Sequence, residues 1–323
     1  MIYDYGLEPE LLATWGELHN YRFFFDKFGL GTPRAVSRYP RDWKDRVFAA
    51  AAGTGEIERT RVDELVQMIS ENMIKRDASP YNAASAWLEN AEREHVDRPF
   101  DLILARSNPQ GSQDVVTEVL PGCHERWDVK DRPPRVPRNA ADMAAAVAPM
   151  LKNCTVVYFI DPNFSLANER YRNTMEAFFD ALVTNRNGRP LTKIEIHSAD
   201  KSEKQSESTS DFFRQSCERY LPRIIPFGLK VTVRRWKQRA GQEKLHDRFI
   251  LTDLGGVGFT VGLDNGRGGE TTGIRLISRE EYRLLWSQYA GAPPTFDVGQ
   301  PEPFPAIGTK RQTPRRRVLP PER

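Results

Sequence analysis

From Lys244 the chain reads Lys-Leu-His-Asp-Arg-Phe-Ile-Leu-Thr-Asp253, followed at once by Leu-Gly-Gly-Val-Gly-Phe-Thr-Val-Gly-Leu-Asp-Asn265. Phe249, Ile250 and Leu251 form the apolar run that a buried strand needs. Gly255-Gly256 is a hairpin signal, because glycine takes positive φ without steric penalty. Val257, Phe259 and Val261 then alternate with small residues, which predicts a second strand. A strand sends residues i and i+2 to one face. His246 and Arg248 are therefore expected to project together, with Asp247 on the opposite face beside Phe249 and Leu251. Asp253 falls at the strand end, where a turn can swing its carboxylate back. An imidazole beside a guanidinium is a receptor for phosphate, since arginine offers a planar fork of donors and a permanent charge.

Upstream of this stretch, helix and strand patterns alternate. Thr155-Val-Val-Tyr-Phe-Ile160 is a continuous apolar strand of the buried kind, ending in the acidic loop Asp161-Pro-Asn-Phe. Such loops at strand C-termini are where α/β proteins tend to bind ligands. An amphipathic helix follows from Asn168, a strand at Lys193–Ser198, a helix at Asp211–Leu221 and a strand at Leu229–Trp236. Beyond Asn265, Thr272–Ser278 reads as a strand and Arg279–Tyr289 as a closing helix. The expected class is α/β, a mixed sheet flanked by helices.

His246-x-Arg248-x4-Asp253 resembles the HxKxxxxD motif of the phospholipase D-like superfamily, with arginine in the lysine position. Gly262-Leu-Asp-Asn265 resembles a degraded form of the G-S-x-N that follows it there. The segment 155–290 is also similar to the C-terminal phospholipase D-like domain of MIT-domain proteins. A further similarity is to the phospholipase D-like component of methylation-associated antiphage defence systems. The resemblance implies a metal-independent phosphodiesterase or nuclease, with no cofactor, working in bacterial defence. In that scheme His246, Arg248 and Asp253 are catalytic: His246 as nucleophile or acid, Arg248 on the phosphate, Asp253 orienting. Lys244, Arg248 and Asn265 bind phosphate. The family normally uses two such motifs and one is present here. A homodimer opposing His246 with its symmetry mate would supply the second histidine, as would His124 or His197 of the same chain. The alternative is an inactive scaffold or recruitment subunit of a multi-protein defence complex.

The rest of the chain carries less chemistry. Residues 1–97 are expected to be a helical N-terminal region. Arg34, Arg38, Arg41, Lys44 and Arg46 around Trp43 read as a solvated helical surface over an aromatic core, with a nucleic-acid face as the alternative. Residues 98–290 form the expected phospholipase D-like domain. Residues 291–323 are rich in proline and arginine and are expected to be a disordered basic tail. His95 and His124 lack the motif frame, and Lys244 and Arg267 flank the motif as cations. The net charge of +3 is nearly balanced and does not by itself indicate a nucleic-acid binder. Nucleic acid and a second copy or defence partner are the candidate partners. With no apolar run of membrane-span length, no visible signal peptide and no metal spacing among Cys123, Cys154 and Cys217, a cytoplasmic protein is expected.

Overall fold

The computed structural model describes residues 2–76, 79–117, 127, 135–186, 189–201, 209–241, 245 and 247–311. The chain is α/β, with two main sheets. The first contains β1 (Tyr3–Leu7), β2 (Arg34–Arg38), β3 (Ile74–Lys75), β4 (Leu102–Leu104) and β5 (Val115–Val116). Between them run α1 (Pro9–Thr14), α2 (Leu18–Phe24), α3 (Trp43–Ala51), α4 (Glu56–Ser70) and α5 (Trp87–Asp97). The strands are all parallel, in the order β3-β2-β1-β4-β5. That is a doubly wound arrangement. One face buries Tyr5, Leu7 and Val36 against Val62, Leu65 and Ile69 of α4; the other packs Ile103 and Phe100 against Trp87 and Ala91 of α5.

The N-terminal region is thus not simply helical, and its sheet does not end at residue 97. The strands are short and carry charges that the hydrophobic pattern does not anticipate. Asp4 is fully buried in β1. It is bound by Ser37 Oγ at 2.5 Å and by Arg76 Nη2 at 2.6 Å. Arg34 is also buried rather than solvated, its guanidinium 4.3 Å above the Trp127 ring centroid and one nitrogen donating to the Trp127 carbonyl at 2.7 Å. Trp43 is buried and donates to the Leu7 carbonyl at 2.6 Å. These two residues belong to the core and not to a nucleic-acid face.

The second unit comprises β6 (Val136–Pro137), α6 (Ala140–Leu151), β7 (Val156–Ile160), α7 (Glu169–Val183), β8 (Lys193–Ala199), α8 (Ser210–Ile224) and β9 (Lys230–Lys237). It continues with β10 (Phe249–Thr252), β11 (Gly255–Phe259), β12 (Thr271–Thr272), β13 (Ile274–Leu276), α9 (Arg279–Ala290), β14 (Asp297–Val298) and β15 (Phe304–Ile307). The main sheet runs β13-β11-β10-β7-β8-β9-β14, with β15 also on β9. Strands β7, β8 and β9 are parallel, and β10 and β11 form an antiparallel hairpin against β7. Helices α6, α7 and α8 cover one face around Phe159, Phe178 and Cys217; α9 covers the other around Tyr158, Leu251 and Tyr282. Ile2, Ala35 and Ile74 of the first unit share the α6 core with Met143 and Val147. The two sheets therefore have a continuous interior.

Part of the proline-rich stretch after residue 290 is structured. Phe304–Ile307 pairs with Lys230–Val233, and Lys310 Nζ meets Asp180 at 2.7 Å and Glu176 at 2.8 Å. Its alternating buried and exposed residues fit an edge strand, where Pro305 is tolerated. Residues 312–323, including Arg315–Arg317, lie outside the described residues. Among the described residues no helix is long and apolar enough to cross a membrane.

Candidate functional site

The hairpin β10–β11 forms where expected, but its turn is Asp253-Leu254, since Thr252 pairs with Gly255. The glycines serve packing. Gly255 has φ +135°, and a Cβ there would meet Ile2 Cδ1 at 2.8 Å; at Gly256 it would meet Leu251 Cδ2 at 2.7 Å.

The two ends of β10 have different chemistry. At its turn end, Asp253 accepts from Thr155 N at 2.8 Å, Thr155 Oγ1 at 2.6 Å and Val156 N at 3.2 Å. Five strand steps, about 17 Å at about 3.3 Å per residue, separate Asp253 from Arg248. The expected orienting role for Asp253 is thus corrected: its carboxylate ties the hairpin turn to the start of β7.

At the entry end, Phe249 is opposite Ile160, which sets Arg248 beside Asp161 at the carboxyl end of β7. The Arg248 side chain is half-buried, and its buried Nε has no hydrogen-bond partner among the described residues. Asp161 is 1% exposed. It accepts from Leu263 N and Asn163 N, both at 2.8 Å. Burial raises the Asp161 carboxyl above the usual carboxylate range, while the two N–H donors and Arg248 act in the opposite direction. Burial also pushes the Tyr171 hydroxyl up, reinforced by Asp161 and Asp264.

The segment after β11 folds back over this end. Asp264 is buried and pairs with Arg138, and with Arg170 at 3.0 Å. Gly262 is required here, because a Cβ would overlap the Asp264 carboxylate and come within 3.3 Å of Asp161 Oδ2. Asn265 is tied to α7: its Oδ1 accepts from Thr174 Oγ1 at 2.8 Å and its carbonyl accepts from Arg170 Nε. The predicted phosphate ligand Asn265 thus has its side-chain oxygen committed to the fold. Arg267 is exposed on the following turn.

The structure brings together Arg248, Asp161, Asp264, Arg138, Arg170 and Tyr171. Of these, the sequence pointed to Arg248 and to the acidic loop at Asp161. Arg170 and Tyr171 open α7 directly after that loop, behind the Asn168 cap, whose side chain accepts from Arg170 N at 3.0 Å. That adjacency was the available signal. Arg138 is remote in sequence and gave none. His246, Lys244 and His124 lie outside the described residues.

His197 is on the opposite face from Arg248. It is fully buried, with Nδ1 accepting from Trp236 Nε1 at 3.0 Å and Nε2 2.9 Å from Glu195 Oε2. Because Nδ1 accepts, the proton of a neutral imidazole sits on Nε2 and is donated to Glu195. Burial lowers the His197 pKa, with Glu195 pulling the other way. Burial would raise Glu195, but His197 and Arg234 outweigh it and bring the carboxyl down to about 2. His197 is packed by Tyr158 and Tyr289 rings and cannot supply the second histidine. His95 is also structural, accepting from Phe100 N at 3.2 Å and facing Asp114 at 3.4 Å.

No family model, curated protein or solved structure matches the chain, and the chemistry of the site stands on its own residues.

Proposed function

We propose that this chain is a metal-independent phosphodiesterase of the phospholipase D-like kind, acting on nucleic acid as a cytoplasmic antiphage-defence protein. The observation that carries this reading is Arg248. Its side chain is half-buried, with Nε buried and unpartnered among the described residues, beside the carboxyl end of β7. His246 lies two positions before it in the sequence. The defence setting comes from the resemblance of the motif.

In this scheme Arg248 binds the non-bridging oxygens and offsets the charge that builds on them. The imidazole of His246 attacks phosphorus, forming a P–N bond as the P–O bond to the leaving group breaks. The leaving oxygen takes a proton from a general acid, which in a homodimer is His246 of the second copy. Water then attacks phosphorus and releases the histidine. Imidazole suits both roles because its ordinary pKa is near neutrality.

A second reading is a scaffold that binds phosphate without turnover. It is favoured by Asp253 and Asn265, two polar residues of the motif whose side chains are engaged in structural hydrogen bonds. The test is hydrolysis of a chromogenic phosphodiester and of labelled DNA and RNA in EDTA. The expected result is activity in wild type that His246→Ala abolishes. Absence of turnover on every substrate overturns the enzyme reading in favour of the scaffold.

A further inference from the structure

The sheet register puts four residues in line across the carboxyl ends of β7, β8 and β9 and the amino end of the antiparallel β10. Phe249 pairs with Ile160, Ile160 with His197, and Ser198 with Arg235. One position before Phe249 in the antiparallel β10, and one after Ile160 and His197, gives the row Arg248, Asp161, Ser198, with Arg235 paired to Ser198. All four share the face covered by α7 and α8, because Ile250, Phe159, Ile196 and Val233 of the same parity lie in that core. Strands sit about 4.8 Å apart, so the row spans about 14 Å.

A pocket of about 270 Å³ opens over the Ser198–Arg235 half of this row. Its floor is Ser198 and Phe213, with the Arg235 guanidinium 4.6 Å from the Phe213 ring centroid. Arg235 is held there by Asp200 at 3.3 Å and by the Gln300 carbonyl at 2.6 Å. Asn163, Ser165 and Lys201 make the rim. Asn163 links pocket and site: its N–H holds Asp161, and its Oδ1 accepts from Lys201 Nζ at 2.7 Å.

We infer that this pocket is a nucleoside subsite, which seats the nucleotide next to the phosphate held at Arg248 and makes a single-stranded polynucleotide the substrate. The inference rests on the phosphodiesterase reading for the position of the phosphate. A small pocket with an amide, hydroxyls and an ammonium group on its walls matches a base and sugar, whose edges carry donors and acceptors. Acyl chains need a long apolar channel, and a site of about 270 Å³ is smaller than the roughly 300–1,000 Å³ of ligand pockets.

The test reads binding separately from hydrolysis. Fluorescence anisotropy of a labelled thymidine hexanucleotide is measured with wild type, Ser165→Trp and Asn163→Ala, in EDTA. Ser165→Trp fills the mouth of the pocket; Asn163→Ala trims an exposed side chain, and circular dichroism checks that both are folded. The expected result is at least a 10-fold loss of affinity in Ser165→Trp, a smaller loss in Asn163→Ala, and displacement of the hexanucleotide by thymidine 5′-monophosphate. Displacement by submicellar dihexanoylphosphatidylcholine and not by the nucleotide overturns the inference in favour of lipid. Equal affinity in wild type and both folded variants, or no binding by wild type, also overturns it. A wild type that binds as expected yet cleaves nothing leaves the subsite standing and removes only the enzyme reading.

Discussion

Two arginines, one in each unit, differ in how fully their guanidinium groups are used. In the first, Arg76 is completely enclosed and fully used. Its nitrogens reach Asp4 at 2.6 Å, Glu94 at 2.9 Å, Ser37 Oγ at 2.8 Å and the Arg98 carbonyl at 2.6 Å. In the second, Arg248 is half-buried beside Asp161 with an N–H left over among the described residues. A closed network holds a fold in register, whereas an open one retains capacity for a ligand. The first unit accordingly reads as structural at this position, and the second as a site.

The most severe way to break that comparison is to remove each arginine. Arg76→Ala leaves Asp4 and Glu94 buried without their cation, and is expected to cost about 3–5 kcal/mol of stability. Arg248→Ala is expected to cost less stability than Arg76→Ala, since Arg248 is only partly buried whereas the Arg76 side chain is fully enclosed between two buried carboxylates. It is expected to lower phosphodiester hydrolysis by about 10²–10³-fold, the range for a lost donor to a developing oxyanion. Urea denaturation and turnover of the same preparations check both. Similar stability losses in the two variants would erase the distinction between the networks.

A smaller effect sharpens the contrast within β10 itself. Asp253→Ala removes the acceptor of two backbone N–H groups and the Thr155 hydroxyl. A loss of about 1–3 kcal/mol is expected, with turnover per folded molecule retained. Loss of turnover in a protein of unchanged stability would return Asp253 to the active site.

The smallest effect concerns pH. The folded pKa of His197 is lowered by burial, so the unfolded chain binds this proton more tightly. The contribution is present above the ordinary imidazole value of about 6.5 and is lost as pH falls through the lower folded value. Denaturation midpoints at pH 7.5 and 5.5 should therefore fall less in His197→Gln than in wild type. An equal fall would mean that His197 does not set this dependence.

Legibility in the sequence followed the same division. Strands β7, β8, β9 and β10 were readable because they carry apolar runs between polar breaks. Helices α7 and α8 were readable from their periodicity. Strands β1, β2 and β3 of the first sheet were not, because β1 and β2 contain buried Asp4, Ser37 and Arg34, and β3 has two residues. Each buried polar group there is acceptable only through a partner distant in sequence: Asp4 with Arg76, Arg34 with Trp127. Local patterns do not carry that information. The same limit explains Asp253, which lies in the motif by sequence but at the far end of the strand from Arg248 in space.

By itself the sequence determined the α/β class, most elements of the second sheet, and Arg248 and the Asp161 loop as places of interest. Those follow from local apolar periodicity and from the chemistry of individual side chains. Only the tertiary structure decided that Arg248, Asp161, Ser198 and Arg235 form one row, that Asp264 collects Arg138 and Arg170, and that His197 is sealed on the other face. Strand order and register join residues tens of positions apart. They are settled by how sheets pair and how cores close, a long-range balance that no short stretch of sequence expresses.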